Sequence, residues 1–216
     1  MDRAARDETA RKVSGLYVIV DAQAAGDRDL VELTQAALRG GARVIQLRDK
    51  LSDKGDVLPV ARSIRDLCDR HDAVFIMNDH ADLAVACDAH GLHLGQHDLP
   101  VAEARAILKP YQIIGTSNAL VEEAAESERQ GVDYLAVGAM FPTDTKERTR
   151  PAGLSTLSAV KATASAPVVA IGGINLGNIS QVVSAGADAA CVISAVVSAP
   201  DPEAAARELI AAMQPG

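Results

Sequence analysis

Pro167-Val168-Val169-Ala170-Ile171-Gly172-Gly173-Ile174 begins the stretch that decides the fold. A helix-period segment follows over residues 176–185, then Gly186, then a second apolar run over residues 189–193 that Ser194 closes. Both runs are rich in Val, Ile and Ala without polar alternation, so each predicts a strand buried on both faces. Gly186 stands where a left-handed helix C-cap favours glycine. Strand, helix and strand in this order predict one unit of a parallel sheet covered by helices.

The unit repeats toward the N-terminus. Further strands are predicted over 16–20, 43–47, 74–77, 91–94, 112–115 and 134–138, which makes eight. Helical patterns cover 29–38, 57–70, 101–108, 120–130, 155–164 and 201–213, with a short one at 81–86. Gly40-Gly41 and Gly131 fall at helix ends, and Pro100 and Pro202 fall where a first turn tolerates a missing N–H. Eight such units in 216 residues predict an α/β chain folded as a single-domain (β/α)8 TIM barrel over 15–216, after an N-terminal extension over 1–14. A doubly wound open sheet is the alternative topology.

Composition narrows the function. Hydrophobic residues make up 48% of the chain but aromatics only 2%, with no Trp, so the core is expected from Ala, Val, Leu and Ile. Few aromatics leave little platform for stacking single-stranded bases. Lys and Arg number 21 against 29 Asp and Glu, and a formal charge of −8 repels nucleic-acid backbones. Cys68, Cys87 and Cys191 lack metal-ligand spacing and read as buried free thiols. No apolar stretch has the length of a membrane span or the pattern of a secretion signal. The expectation is a cytoplasmic protein without nucleic-acid or membrane partners; protein partners stay open.

In a barrel of this kind the site lies at the C-terminal ends of the strands, so polar residues there carry the argument. Gln46-Leu47-Arg48-Asp49-Lys50 follows the second strand, and Asn78-Asp79 the third. His93 to Asp98 closes the fourth, Thr116-Ser117-Asn118 the fifth, and Phe141-Pro142-Thr143-Asp144-Thr145-Lys146 lies beyond the sixth. Every strand after the first is expected to bring a polar or glycine cluster to one rim. Singly, these clusters have plain readings: Asp79 and Asp98 could cap the helices they precede, and Lys146 could be a solvated charge. Jointly, Arg48, Lys50 and Lys146 on one rim call for an anion, and Asp79 with Asp98 calls for a cation. Hard oxygen donors in small number suit Mg2+ sharing phosphate oxygens. Three bases and Mg2+ against two aspartates leave roughly +3, a match for diphosphate at about −3. Gly173, Ile193 and Ser194, after strands seven and eight, form the usual barrel pocket for a single phosphate. Two phosphorylated substrates in one mouth suggest group transfer with loss of diphosphate.

Taken in order, these motifs resemble the thiamine phosphate synthase family from about Leu16 to the C-terminus. The resemblance implies a transferase that joins a pyrimidine diphosphate to a thiazole phosphate with Mg2+ as cofactor. It further implies that Gln46, Leu47, Arg48, Asp49, Lys50, Asn78, Ser117 and Lys146 bind the pyrimidine diphosphate. Asp79 and Asp98 would hold the metal, and Thr143, Asp144, Thr145, Gly173, Ile193 and Ser194 would receive the thiazole phosphate. Arg48, Lys50 and Lys146 are the expected catalytic charges. The family usually has Glu where this chain has Asp49, and Arg where it has His80. A related thiazole tautomerase branch uses a histidine near Ala119, and a thiamine-related ligand sensor is the non-enzymatic alternative; Ala119 offers no proton-transfer group.

Overall fold

Side-chain parity along each strand shapes the molecule. In the computed structural model, which describes residues 2–142 and 150–214, the strands are β1 (Gly15–Asp21), β2 (Val44–Arg48), β3 (Val74–Asn78), β4 (Gly91–Leu94), β5 (Ile113–Asn118), β6 (Tyr134–Gly138), β7 (Val168–Ile171) and β8 (Ala189–Val192). They pair in parallel in chain order, and β8 returns to β1, closing a barrel and excluding the open sheet. Tyr17, Ile19, Val44, Val74, Ile76, Ile113, Tyr134, Val169 and Cys191 fill the interior. Their strand neighbours, among them Leu16, Val18, Ile45, Leu47, Phe75, Met77, Leu92 and Val137, face the helical layer. Strands wetted on neither face therefore read as unbroken apolar runs.

The helical layer comprises α2 (Ala22–Ala25), α3 (Leu30–Arg39), α4 (Lys54–Arg70), α5 (Ala81–Ala86), α6 (Val101–Ile107), α7 (Val121–Arg129), α8 (Gly153–Thr163), α9 (Ile179–Ser184), α10 (Ser194–Val197) and α11 (Pro202–Met213), with α1 (Asp2–Arg11) ahead of the barrel. Asp29 starts α3 by accepting hydrogen bonds from the N–H groups of Val31 and Glu32, at 2.7 and 2.9 Å. Asp201 likewise caps α11, with Pro202 in its first turn. Pro100 differs from expectation: it precedes α6 in extended backbone instead of entering the first turn.

Two further departures concern the interior. The aliphatic core expected from composition is incomplete, because Tyr17, Tyr134 and Phe75 are among the largest fully buried side chains. Gly115 on β5 makes room for one of them, since an added Cβ would run into the Tyr134 ring. Below the strands, α1 leads to Val13, which is fully buried with Ala10 packed beside it against the interior cluster. All three cysteines are buried and none forms a disulfide, as expected. Among the described residues no helix is long and apolar enough to cross a membrane.

Candidate active site

The rim over β1 to β4 gathers charge. Arg48, the last residue of β2, pairs with Asp21, the last residue of β1, whose side chain is 2% exposed. Asp21 also accepts from the Ala24 N–H at 2.9 Å, so one carboxylate caps α2 and holds Arg48. The first strand thus brings a polar residue to the rim too, contrary to expectation. Lys50 reaches Asp79, with Nζ 3.0 Å from Oδ2. Asp79 sits in left-handed backbone at φ 59°, and its N–H donates to the His93 carbonyl at 2.9 Å, which ties the end of β3 to β4. Neither aspartate caps a helix: His80 and Pro100 precede α5 and α6 with no side-chain cap bond.

The Asp79 and Asp98 carboxyls are close enough to act on each other. Burial raises both, but the neighbouring Asp98 carboxyl and the Lys50 ammonium outweigh it at Asp79, whose pKa falls below the usual range. At Asp98, burial and the facing Asp79 carboxylate dominate, the Gly95 N–H only opposes them, and the pKa rises. The two carboxyls are thus shifted in opposite directions by their surroundings. Arg48 and Lys50 are each already matched by an acid, so the expected excess of positive charge is smaller. Counting Asp21, the balance with Mg2+ falls from about +3 to about +2.

Other residues of this group differ in reach. Gln46 points into the barrel and is 2% exposed. Leu47 faces the helical layer, so its side chain is turned away from the mouth. Asp49 folds back on its own loop and accepts from the N–H groups of Leu51 and Ser52, at 2.9 and 3.0 Å. Partial burial raises its carboxyl, but those hydrogen bonds leave the pKa lowered. Asn78 ends β3 beside His93 on β4 and is buried.

A cavity of about 900 Å³ opens beside the charged rim, above β4 to β8. Ser117, Gly173, Ile193 and Ser194 all line it, so four expected substrate residues share one wall system. Gly173 has φ 67°, and a Cβ there would lie 2.6 Å from the Pro142 carbonyl oxygen. The β7 loop therefore closes against the β6 loop only with glycine. Gly95 joins the two regions, lining the cavity while donating its N–H to Asp98 at 2.7 Å. Thr143, Asp144, Thr145 and Lys146 lie outside the described residues.

Comparison with known proteins fits this geometry. The family model described as thiamine monophosphate synthase matches residues 16–196. The chain belongs to that family. It is 45% identical to a thiamine-phosphate synthase of Shouchella clausii over 200 residues, covering 92% of this chain and 96% of that protein. A thiamine biosynthesis bifunctional protein of Geobacter sulfurreducens is also 45% identical, over 94% of this chain but only 41% of its own length. The solved thiamine phosphate pyrophosphorylase from Pyrococcus furiosus superimposes with a TM-score of 0.87 at 40% identity, covering 94% and 96% of the two chains.

Within the family frame, some features of this site were not visible in the sequence. Asp21 is one. A second is the pair formed by Glu123 and Arg150 on the cavity wall, with both guanidinium nitrogens on both carboxylate oxygens at 2.7 and 2.9 Å. Glu123 also accepts from the Ala119 N–H at 2.8 Å. The third is a polar chain across the barrel interior. Gln46 Nε2 donates to Tyr17 Oη at 2.7 Å, and Tyr17 Oη lies 3.2 Å from Tyr134 Oη. Tyr134 Oη is 2.9 Å from His93 Nδ1, and His93 Nε2 is 2.9 Å from Ser117 Oγ. A lone Tyr or His in an apolar run carries no sequence signal that it will meet another across a barrel.

Proposed function

We propose that this chain is a cytoplasmic thiamine-phosphate synthase. In this reading it joins 4-amino-2-methyl-5-(diphosphooxymethyl)pyrimidine to thiazole phosphate, giving thiamine phosphate and diphosphate. The observation that carries the reading is the meeting of Lys50, Asp79 and Asp98 beside a cavity of about 900 Å³, a volume suited to small-molecule substrates.

Asp79 and Asp98 fit Mg2+. They are two hard oxygen donors brought into contact, and Mg2+ completes its shell with water and phosphate oxygens. Among the described residues no group of three His, Cys, Asp or Glu side chains converges, which leaves those positions to water and substrate. Bound there, Mg2+ would neutralise charge on the departing diphosphate. Arg48, at the end of β2, and Lys50, just beyond it, would oppose the same developing charge, each held in place by its aspartate. Gly173, Ile193 and Ser194 would seat the thiazole phosphate across the cavity, aligning its ring nitrogen with the pyrimidine methylene. The aminopyrimidine itself stabilises the carbocation left by diphosphate loss, so no residue need act as nucleophile or general base.

Purified chain mixed with both precursors and Mg2+ should release diphosphate and thiamine phosphate in equal amounts. Isomerised thiazole alone would indicate a tautomerase, and binding without turnover a sensor; either result sinks the synthase reading. Asp79→Ala should raise the half-saturating Mg2+ concentration about tenfold or more, from loss of one of two carboxylate donors. An unchanged magnesium titration would remove Asp79 from the metal site.

A further inference from the structure

We infer that Tyr134, acting through His93, is a positioning residue that turns the Ser117 hydroxyl into a donor aimed at an anionic oxygen in the cavity. The assignment starts from the first member of the interior hydrogen-bond chain. An amide nitrogen only donates, so Tyr17 Oη accepts from Gln46 Nε2. A buried phenol also needs an acceptor for its own hydrogen, so we assign the Tyr17 hydrogen to Tyr134 Oη, 3.2 Å away, and the Tyr134 hydrogen to His93 Nδ1, 2.9 Å away. Burial pushes both phenols above their ordinary range, so both keep these hydrogens. A ring nitrogen that accepts carries no proton, so this assignment places the His93 hydrogen on Nε2. That N–H donates to Ser117 Oγ at 2.9 Å. Having accepted there, Ser117 directs its own hydrogen away from His93, toward the cavity it lines.

The rings that carry the chain are held independently of any ligand. The Tyr134 and His93 rings stack with centroids 5.8 Å apart at 28°, and the Tyr134 ring fills the space that Gly115 leaves. Rotation of either ring would break two hydrogen bonds in a buried setting, where an unpaired polar group is costly. Naming the anion as the substrate diphosphate rests on the synthase reading above; the direction of the chain does not.

The first test is 15N NMR of the histidine side chains in the full chain, with His93→Asn used to assign its signals. His93 should show a bare Nδ1 and a protonated Nε2. A protonated Nδ1 reverses the chain and overturns the inference, whatever the activity. The second test titrates inorganic diphosphate in the presence of Mg2+ by calorimetry. Tyr134→Phe, which keeps the ring, should raise Kd about tenfold, the cost of losing one oriented hydrogen bond to a charged oxygen. On a Ser117→Ala background the same change should have no further effect. Additive losses, an unchanged Kd, or no binding of diphosphate by the wild-type chain would overturn the assignment. If the expected pattern appears but the precursors are never turned over, the positioning role stands and the synthase reading falls.

Discussion

Asp21 shows how one buried side chain sets the position of a half-buried one. It caps α2 with one oxygen and pairs with Arg48 through the other, while being 2% exposed. Asp21→Asn keeps the cap but leaves a guanidinium, itself only 14% exposed, without its counter-charge. We expect a loss of about 2–3 kcal/mol in urea unfolding, somewhat less than for a fully buried pair because Arg48 reaches some water. A loss below about 0.5 kcal/mol would mean the pair behaves as a surface ion pair. His90 gives a second residue-scale expectation. Its Nδ1 accepts the Phe75 N–H at 2.9 Å, so the fold needs the neutral ring. Burial, then the charges of Arg65 and Lys12, bring its pKa down to about 4. Between about pH 4 and 6.5 the unfolded chain binds a proton that the folded chain refuses. The stabilisation is therefore complete above about pH 6.5 and is lost as pH falls toward 4, by roughly 3 kcal/mol. His90→Asn, which retains an acceptor, should flatten that part of the stability–pH curve; parallel curves would contradict it.

Among elements, the loop after β7 is the most demanding. At φ 67°, with the Pro142 and Phe141 carbonyl oxygens 2.6 and 2.8 Å from any added Cβ, Gly173 has no substitute. Gly173→Ala should cost about 2 kcal/mol or more, from left-handed backbone plus displaced carbonyls, and should weaken thiazole phosphate binding. Thermal unfolding together with a binding titration would check both, and a neutral substitution would show the two loops are not in register. The strands themselves were legible because burial on both faces leaves an unbroken apolar signature. Their ends were less so. β5 runs on to Asn118, beyond the expected 112–115, because Thr116 and Asn118 face the helical layer, where the Ser127 hydroxyl donates to Asn118 Oδ1 at 2.9 Å. A buried polar residue that is satisfied by a helix looks, in sequence, like a loop residue. The one-turn helices α2 and α10 were missed for lack of a repeat, and α1 because its charged sequence, DRAARDETAR, has no apolar stripe.

On the scale of the whole molecule, α1 closes one end of the barrel while the strand ends build the site at the other. It is fastened from outside by Arg6 to Asp133 at 3.1 Å, and the following Lys12 to Asp72 at 2.7 Å. Removing residues 2–12 takes Ala10 off the interior cluster and uncovers Val13, and should lower Tm by about 5–10 °C in calorimetry. An unchanged Tm would show that the floor seals without the helix. The site was legible to the extent that topology makes it so: closing eight strands brings Arg48, Lys50, Asp79 and Asp98 to one rim without any local signal. Which acid holds which base was not legible, since Asp21 and Arg48 stand 27 positions apart and either could have met another partner.

The chain from Gln46 to Ser117 also bears on how such a sequence can drift. Five side chains from five strands form a single interdependent unit, so replacing any one by an apolar residue strands its neighbours inside the barrel. Change at these positions is therefore expected in concerted sets, with the tyrosines and the histidine kept or discarded together across evolutionary lineages.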